Sequence, residues 1–159
     1  MTREELTQEL GHALQGYQRS VQAFDDTVGR RLGLGPADLR CLDWLVDGPR
    51  SAGQLSVATG LRPAATTALI DRLAKRGLVR RRRLDSDRRT VLVEMTEQGQ
   101  ALTWECYGPL VRDGQPLIDE LSTEQLVFLR DYLGRLTAMT DEHRLRLAAE
   151  LKAGPPLLS

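Results

Sequence analysis

The 159-residue sequence has little from which to build a reactive or covalently braced site. It holds two cysteines, Cys41 and Cys106, and two histidines, His12 and His143, all far apart along the chain. Two distant cysteines exclude a disulfide-stapled secreted scaffold, and four scattered Cys and His residues give no metal-ligand spacing. There is no Gly-rich phosphate loop, no nucleophile elbow and no His-Glu-x-x-His, so the chain reads as a non-enzyme without a cofactor or metal. No apolar run approaches the roughly 18 residues of a membrane span. No n-region, apolar h-region or cleavage site opens the chain, and a cytoplasmic protein with no membrane partner is expected. Aromatic residues make up only 4% of the sequence.

Net charge is also missing. Lys plus Arg and Asp plus Glu number 22 each, which taken alone argues against a protein held to nucleic acid by bulk charge. The charges are not evenly spread, however. Residues 62–90 carry ten basic side chains against three acidic ones, a local +7 balanced by −7 over the rest of the chain. Neutrality here is cancellation between a basic segment and an acidic remainder.

The length fits one domain with a real core, and the apolar pattern gives its elements. Leu6, Leu10, Ala13, Leu14, Tyr17, Val21, Phe24 and Val28 recur at three- and four-residue spacings, predicting a long amphipathic helix over residues 3–30. Pro36 suits the first turn of a second helix, with Leu39, Leu42, Leu45 and Val46 as its buried stripe, stopped by Gly48-Pro49. Ser51 and Gln54 have capping-box spacing and start a short third helix to about Thr59. Gly60 allows a turn, Pro63 opens a fourth helix, and Gly77 closes it near Arg76. Two short helices joined by a tight Gly-containing turn are a helix-turn-helix, or equally an αα-hairpin with no role in binding.

The segment that follows separates these readings. Residues 78–84 and 90–95 are β-prone stretches around a polar turn, Asp85-Ser86-Asp87-Arg88-Arg89, and a basic hairpin directly after a helix-turn-helix is a wing. Thr96 suits the cap of a fifth helix carrying Leu102, Trp104 and Tyr107, with Pro109, Gly114 and Pro116 expected to bend or interrupt it. Ser122 and Gln125 form a second capping box before a sixth helix with a Leu126, Leu129, Leu133, Leu136 stripe, which Thr140 and His143 are expected to break. The predicted fold is mainly α with a small β-hairpin wing. Residues 35–96 form the winged helix-turn-helix, 1–34 and 97–153 a helical dimerisation region, and 154–159 a tail.

Reading double-stranded DNA requires phosphate contacts for position and side chains at base edges for sequence. On the wheel of the fourth helix, Ala65, Leu69, Ile70 and Leu73 share the core side with Thr66 between them, while Ala64, Thr67, Ala68, Asp71 and Lys75 face away. Small outward residues let a helix approach the bases, with the Thr67 hydroxyl and the Arg62 guanidinium as polar readers beside Pro63 and Arg72. Arg88 and Arg89 suit a minor groove, and Asp87 suits an ion pair that orients the turn. Ser51, Lys75, Arg81 and Arg83 are the expected phosphate contacts.

Residues 39–99 resemble the winged-helix core of the MarR family of transcriptional regulators. The resemblance rests on Leu61-Arg-Pro-Ala-Ala-Thr-Thr-Ala-Leu-Ile-Asp-Arg-Leu-Ala-Lys-Arg-Gly-Leu-Val79, on Asp87-Arg-Arg89 and on Met95-Thr-Glu-Gln-Gly99. With the flanking long helices it covers nearly the whole chain. It implies a homodimer on a palindromic operator, usually a repressor, with Asp87 and Arg89 in the family's Asp-x-Arg wing motif. Ala68 stands where many members have arginine, and Met95 where leucine is common.

A dimer also follows from the pattern itself, because one winged helix gives the stripes of the terminal helices little to pack against. Leu6, Leu10, Leu126, Leu129, Leu133 and Leu136 are the expected interface. The resemblance further implies a small aromatic or phenolic effector in a cleft between dimer helices and winged domain. His12, Tyr17, Arg19, Trp44, Trp104 and Tyr107 are the candidates, although both tryptophans equally suit packing. Two other readings stand beside the regulator: a winged helix that docks a protein, and a cysteine-based redox sensor. Cys41, in phase with Leu45, fits a small buried hydrophobe.

Overall fold

A computed structural model describes residues 1–83 and 91–153. The order is α1 (Arg3–Leu32), α2 (Pro36–Val46), β1 (Arg50–Ser51), α3 (Ala52–Thr59), α4 (Pro63–Lys75), β2 (Val79–Arg83), β3 (Val91–Met95), α5 (Glu97–Asp119) and α6 (Thr123–Ala153). The chain divides into two compact units, Met1–Gly108 and Pro109–Ser159.

The first unit holds the core. Cys41, Leu42 and Leu45 of α2, Leu55 of α3, and Leu69, Ile70 and Leu73 of α4 are buried together with Leu78, Val79, Val93 and Met95. Burying side chains of this kind stabilises a fold by about 1.5–3 kcal/mol each relative to exposure. Val46 and Ala65, expected on buried stripes, are exposed. Each lies near 90° from the middle of its helix's buried face at 100° per residue, where a periodic pattern cannot separate edge from core.

The predicted hairpin is present and has a third member. β3 pairs antiparallel with β2, Val79 opposite Met95 and Arg83 opposite Val91, and also with the two-residue β1, Arg50 opposite Val93. A strand of two residues leaves no period in a sequence. After β3, the Thr96 Oγ1 accepts from the Gly99 amide at 3.0 Å and donates to the Gly77 carbonyl at 2.6 Å, tying the start of α5 to the turn before β2. Gly99 is required there. A Cβ on it would stand 2.2 Å from the Leu78 carbonyl oxygen, closer than any side chain tolerates.

Both capping boxes form: Ser51 with Gln54, and Ser122 with Gln125. α5 is not interrupted, although Pro109 and Pro116 lie inside it. Before Pro109 stands Gly108, which has no Cβ to meet the proline ring and so relieves one of the clashes that oppose helix at that position. In the second unit α6 likewise passes through Thr140 and His143 to Ala153. Their helix propensities are only a few tenths of a kcal/mol poorer than those of good formers, too little to stop a long helix. Among the described residues no helix is long and apolar enough to cross a membrane.

Candidate nucleic-acid interface

α3 and α4 meet at a turn held by side chains as well as backbone. Gly60 takes the left-handed conformation at φ 72°. The Ser56 hydroxyl donates to the Leu61 carbonyl at 2.7 Å, the Thr59 hydroxyl donates to the Leu55 carbonyl at 2.8 Å, and Arg40 reaches the Thr59 carbonyl at 3.3 Å. With α3 fixed, the direction of α4 is fixed.

α4 buries Thr66, Leu69, Ile70 and Leu73. Its other side exposes Ala64, Thr67, Ala68, Asp71 and Lys75, as the wheel predicts. Arg62 at the N-cap position makes no side-chain cap, so the positive end of the helix is open where small residues begin. The Thr67 hydroxyl donates its proton to the Pro63 carbonyl at 3.1 Å. Toward the outside, Thr67 therefore offers an acceptor rather than a donor.

The arginines divide into two kinds. Arg72 is paired with Asp38, a buried carboxylate that also accepts from the Gly35 amide at 2.9 Å, so it binds α4 to the start of α2. Arg76 donates to the Leu32 and Gly33 carbonyls, both at 2.6 Å, where the C-terminal end of α1 favours a cation. Arg80 and Arg82 bracket Glu94 at 2.7 and 3.0 Å. The hydrogen bond from Arg80 first, and then the charge of Arg82, hold the Glu94 carboxyl below its ordinary pKa. Arg81 extends to Asp71 of α4 at 2.7 Å. Arg62, Lys75 and Arg83 have no acidic partner among the described residues. Ser51 is half-buried, its oxygen accepting from the Gln54 amide at 3.2 Å. Asp87, Arg88 and Arg89 lie outside the described residues.

The sequence pattern missed the inward work of Arg72, Arg76 and Arg80, because partners up to 44 positions away leave no local spacing. It also missed Asp38, a buried acid on a helix whose apolar stripe gives no hint of it.

The effector candidates are not gathered into one place. Tyr107 donates to Asp25 at 2.8 Å and meets the ring of Phe24 edge-on at 5.5 Å. Burial, then Asp25, raises its phenol well above the ordinary value. Burial also raises the Asp43 carboxyl, with Asp25 and Asp47 adding to it. Trp44 is partly exposed beside Asp43, and Trp104 is exposed, its ring lying over Gly108. His12, Tyr17 and Arg19 stand exposed on the earlier turns of α1, where Arg19 donates to the Gln15 carbonyl. Thus Tyr107 reaches α1 through Asp25 and Phe24, not through Tyr17 or Arg19.

Cys41 is fully buried, and its thiol is pushed up to about 12 by burial first and by Asp38 second, which removes it as a reactive thiolate at neutral pH. Cys106 is half-buried. Leu6 and Leu10 in the first unit, and Leu126, Leu129 and Leu133 in the second, are exposed, with Leu136 half-buried.

Comparison with known proteins agrees with this architecture. A family profile described as MarR family matches residues 32–90. The uncharacterized HTH-type transcriptional regulator YcgE of Bacillus subtilis (strain 168) is 33% identical over 125 residues, spanning 78% of this chain and 81% of YcgE. A MarR family protein from Bacillus stearothermophilus superimposes with a TM-score of 0.63 at 25% identity, covering 89% of this chain and 99% of that one. NadR, solved in complex with 4-hydroxyphenylacetate, shares the fold with a TM-score of 0.59 at 21% identity, over 79% and 89% of the two chains.

Proposed function

The chain belongs to the MarR family of transcriptional regulators, and on that premise we propose that it is a homodimeric repressor of a palindromic operator, without enzymatic activity and acting in the cytoplasm. The observation that carries the reading is the outward face of α4: Ala64, Thr67 and Ala68 beside an N-terminus with no side-chain cap, flanked by Arg62 and Lys75. Such a face fits the floor of a major groove, with Arg62 and Thr67 at base edges and Pro63 holding the first turn.

Ser51, Lys75 and Arg83 contact phosphates. The wing tip, Asp87, Arg88 and Arg89, enters the adjacent minor groove, where arginine is favoured by the narrowed, negative A·T-rich groove. Arg72 serves by holding α4 against α2. Two copies joined through Leu6, Leu10, Leu126, Leu129, Leu133 and Leu136 set two α4 helices at half-sites roughly 34–36 Å apart. An aromatic or phenolic effector, of the class seen with NadR, is bound near Trp44, Trp104 and Tyr107, with His12, Tyr17 and Arg19 supplied through the dimer.

The test is selection of bound duplexes from a random DNA library. A two-fold symmetric site is expected, bound with steep salt dependence as counterions are released and released again by an aromatic metabolite from a screened panel. Equal competition by sheared genomic DNA at physiological salt would refute sequence-specific regulation and favour a protein-docking winged helix.

A further inference from the structure

Asp71 is a carboxylate in the middle of the exposed stripe of α4, four residues after Thr67 and four before Lys75, and 59% of its side chain is open to solvent. The reading above turns this stripe toward DNA, where a carboxylate is repelled by phosphate. We infer that the Asp71–Arg81 pair is a selectivity device: on arbitrary DNA it withholds one cation from the phosphates, and it releases that cation only where the bases offer Asp71 a donor. The inference rests on α4 being the recognition helix.

Among the ion pairs of the described residues around α4, β2 and β3, this one is built to open. Asp38 and Glu94 are 7% and 15% exposed, so taking Arg72 from the first, or Arg80 and Arg82 together from the second, leaves a sheltered carboxylate without its cation, at a high cost. Asp71 and Arg81 are 59% and 41% exposed, and breaking such a pair in water costs little. Arg81 can therefore exchange Asp71 for a phosphate.

The exchange leaves Asp71 alone at the groove. Over guanine or thymine its charge then opposes binding, since the acceptors N7, O6 and O4 give it nothing. Cytosine and adenine are different, because the N4 amine of the one and the N6 amine of the other donate, and an aspartate accepts from them, most often from cytosine. A site with cytosine or adenine under Asp71 satisfies both partners of the broken pair, and one with guanine or thymine there satisfies only Arg81. Discrimination then comes from a repulsive element as well as from attractive contacts.

The experiment uses the full chain with a selected duplex and a random duplex of equal length, each titrated across salt. Asp71→Asn should bind the random duplex about three- to tenfold more tightly at low salt, with a log–log salt slope steeper by about 0.9, one counterion's worth. Its slope on the selected duplex should not change, because Arg81 is already on phosphate there. Arg81→Gln should make the slope on the selected duplex shallower by about 0.9 and shrink the gain from Asp71→Asn in the double variant. Asp71→Glu, retaining the charge, should behave as the parent. Equal tightening on both duplexes by Asp71→Asn, or no change on the random one, overturns the inference alone. A parent protein that does not distinguish the two duplexes overturns the recognition-helix reading instead.

Discussion

The winged-helix core and α6 have comparable supplies of large apolar residues and use them in opposite ways. In the first, Leu42, Leu55, Leu69, Ile70, Leu73 and Val93 are within 2% of full burial. In the second, Leu126, Val127, Phe128, Leu129, Leu133, Met139, Leu145, Leu147 and Leu151 are all exposed. One region has satisfied its hydrophobic surface inside the chain. The other still carries that surface outward, spread around the helix, and exposed apolar surface of this extent marks a place for another surface. The lesson is that amphipathicity alone states how much must be buried but does not name the partner.

The largest effect is expected on the exposed side. Replacing Leu129 and Leu133 together by Asp is expected to abolish self-association and with it binding to a selected operator, while the circular-dichroism signature of a folded winged helix persists. Sedimentation equilibrium checks this, and a double variant still two chains in mass would refute α6 as the interface. Leu73→Ala attacks the buried side and is expected to destabilise the fold by about 2–5 kcal/mol, the usual range for a leucine cavity. A urea midpoint unchanged from the parent would show that this core is not close-packed.

Smaller effects are expected at single charged side chains. Arg89→Ala should weaken operator binding without altering dimerisation, by an amount on the order of 1–3 kcal/mol if it makes a specific groove contact. Gel shift and sedimentation on the same preparation separate the two properties, and undiminished affinity would remove the wing tip from the interface. Glu94→Gln gives the smallest change. The folded-state pKa of Glu94 is lowered by Arg80 and Arg82, so its contribution to stability is present above the ordinary carboxylate value, about 4.3, and is lost as pH falls through the lower folded value. Parent and variant urea midpoints should differ at pH 7 and draw together as pH falls through the ordinary carboxylate value and then the lowered folded one. A gap that stays constant across that range would show that the ionised carboxylate is not what stabilises.

Much of the candidate interface is legible in the sequence. The Ser51 and Ser122 capping boxes, the turn at Gly60, the Pro63 start of α4 and the outward Ala64–Thr67–Ala68 face follow from spacings of three and four residues, and all are present. The readings that shifted share a cause. Pro109, Pro116, Thr140 and His143 were expected to disrupt helices, yet α5 and α6 pass through them, because a local penalty is outweighed when many residues on either side favour helix. Arg72 and Arg81, read from the sequence as facing DNA, also have acidic partners, Asp38 and the exposed Asp71. A run of arginines reports its charge, not its partners.

The zero net charge divides in the same way. The sequence alone determined that it is a +7 segment set against a −7 remainder, and determined the order of helix, turn, helix and hairpin, because caps, turns and periodicity act over a few bonds. Tertiary structure decided which of those cations find partners within the chain: Arg72 and Arg76 in clamps between helices, Arg80 and Arg82 on Glu94, and Arg81 on the exposed Asp71 of α4. Charge is fixed by composition, but the field a partner meets depends on distance, and only folding sets the distances between residues remote in the chain.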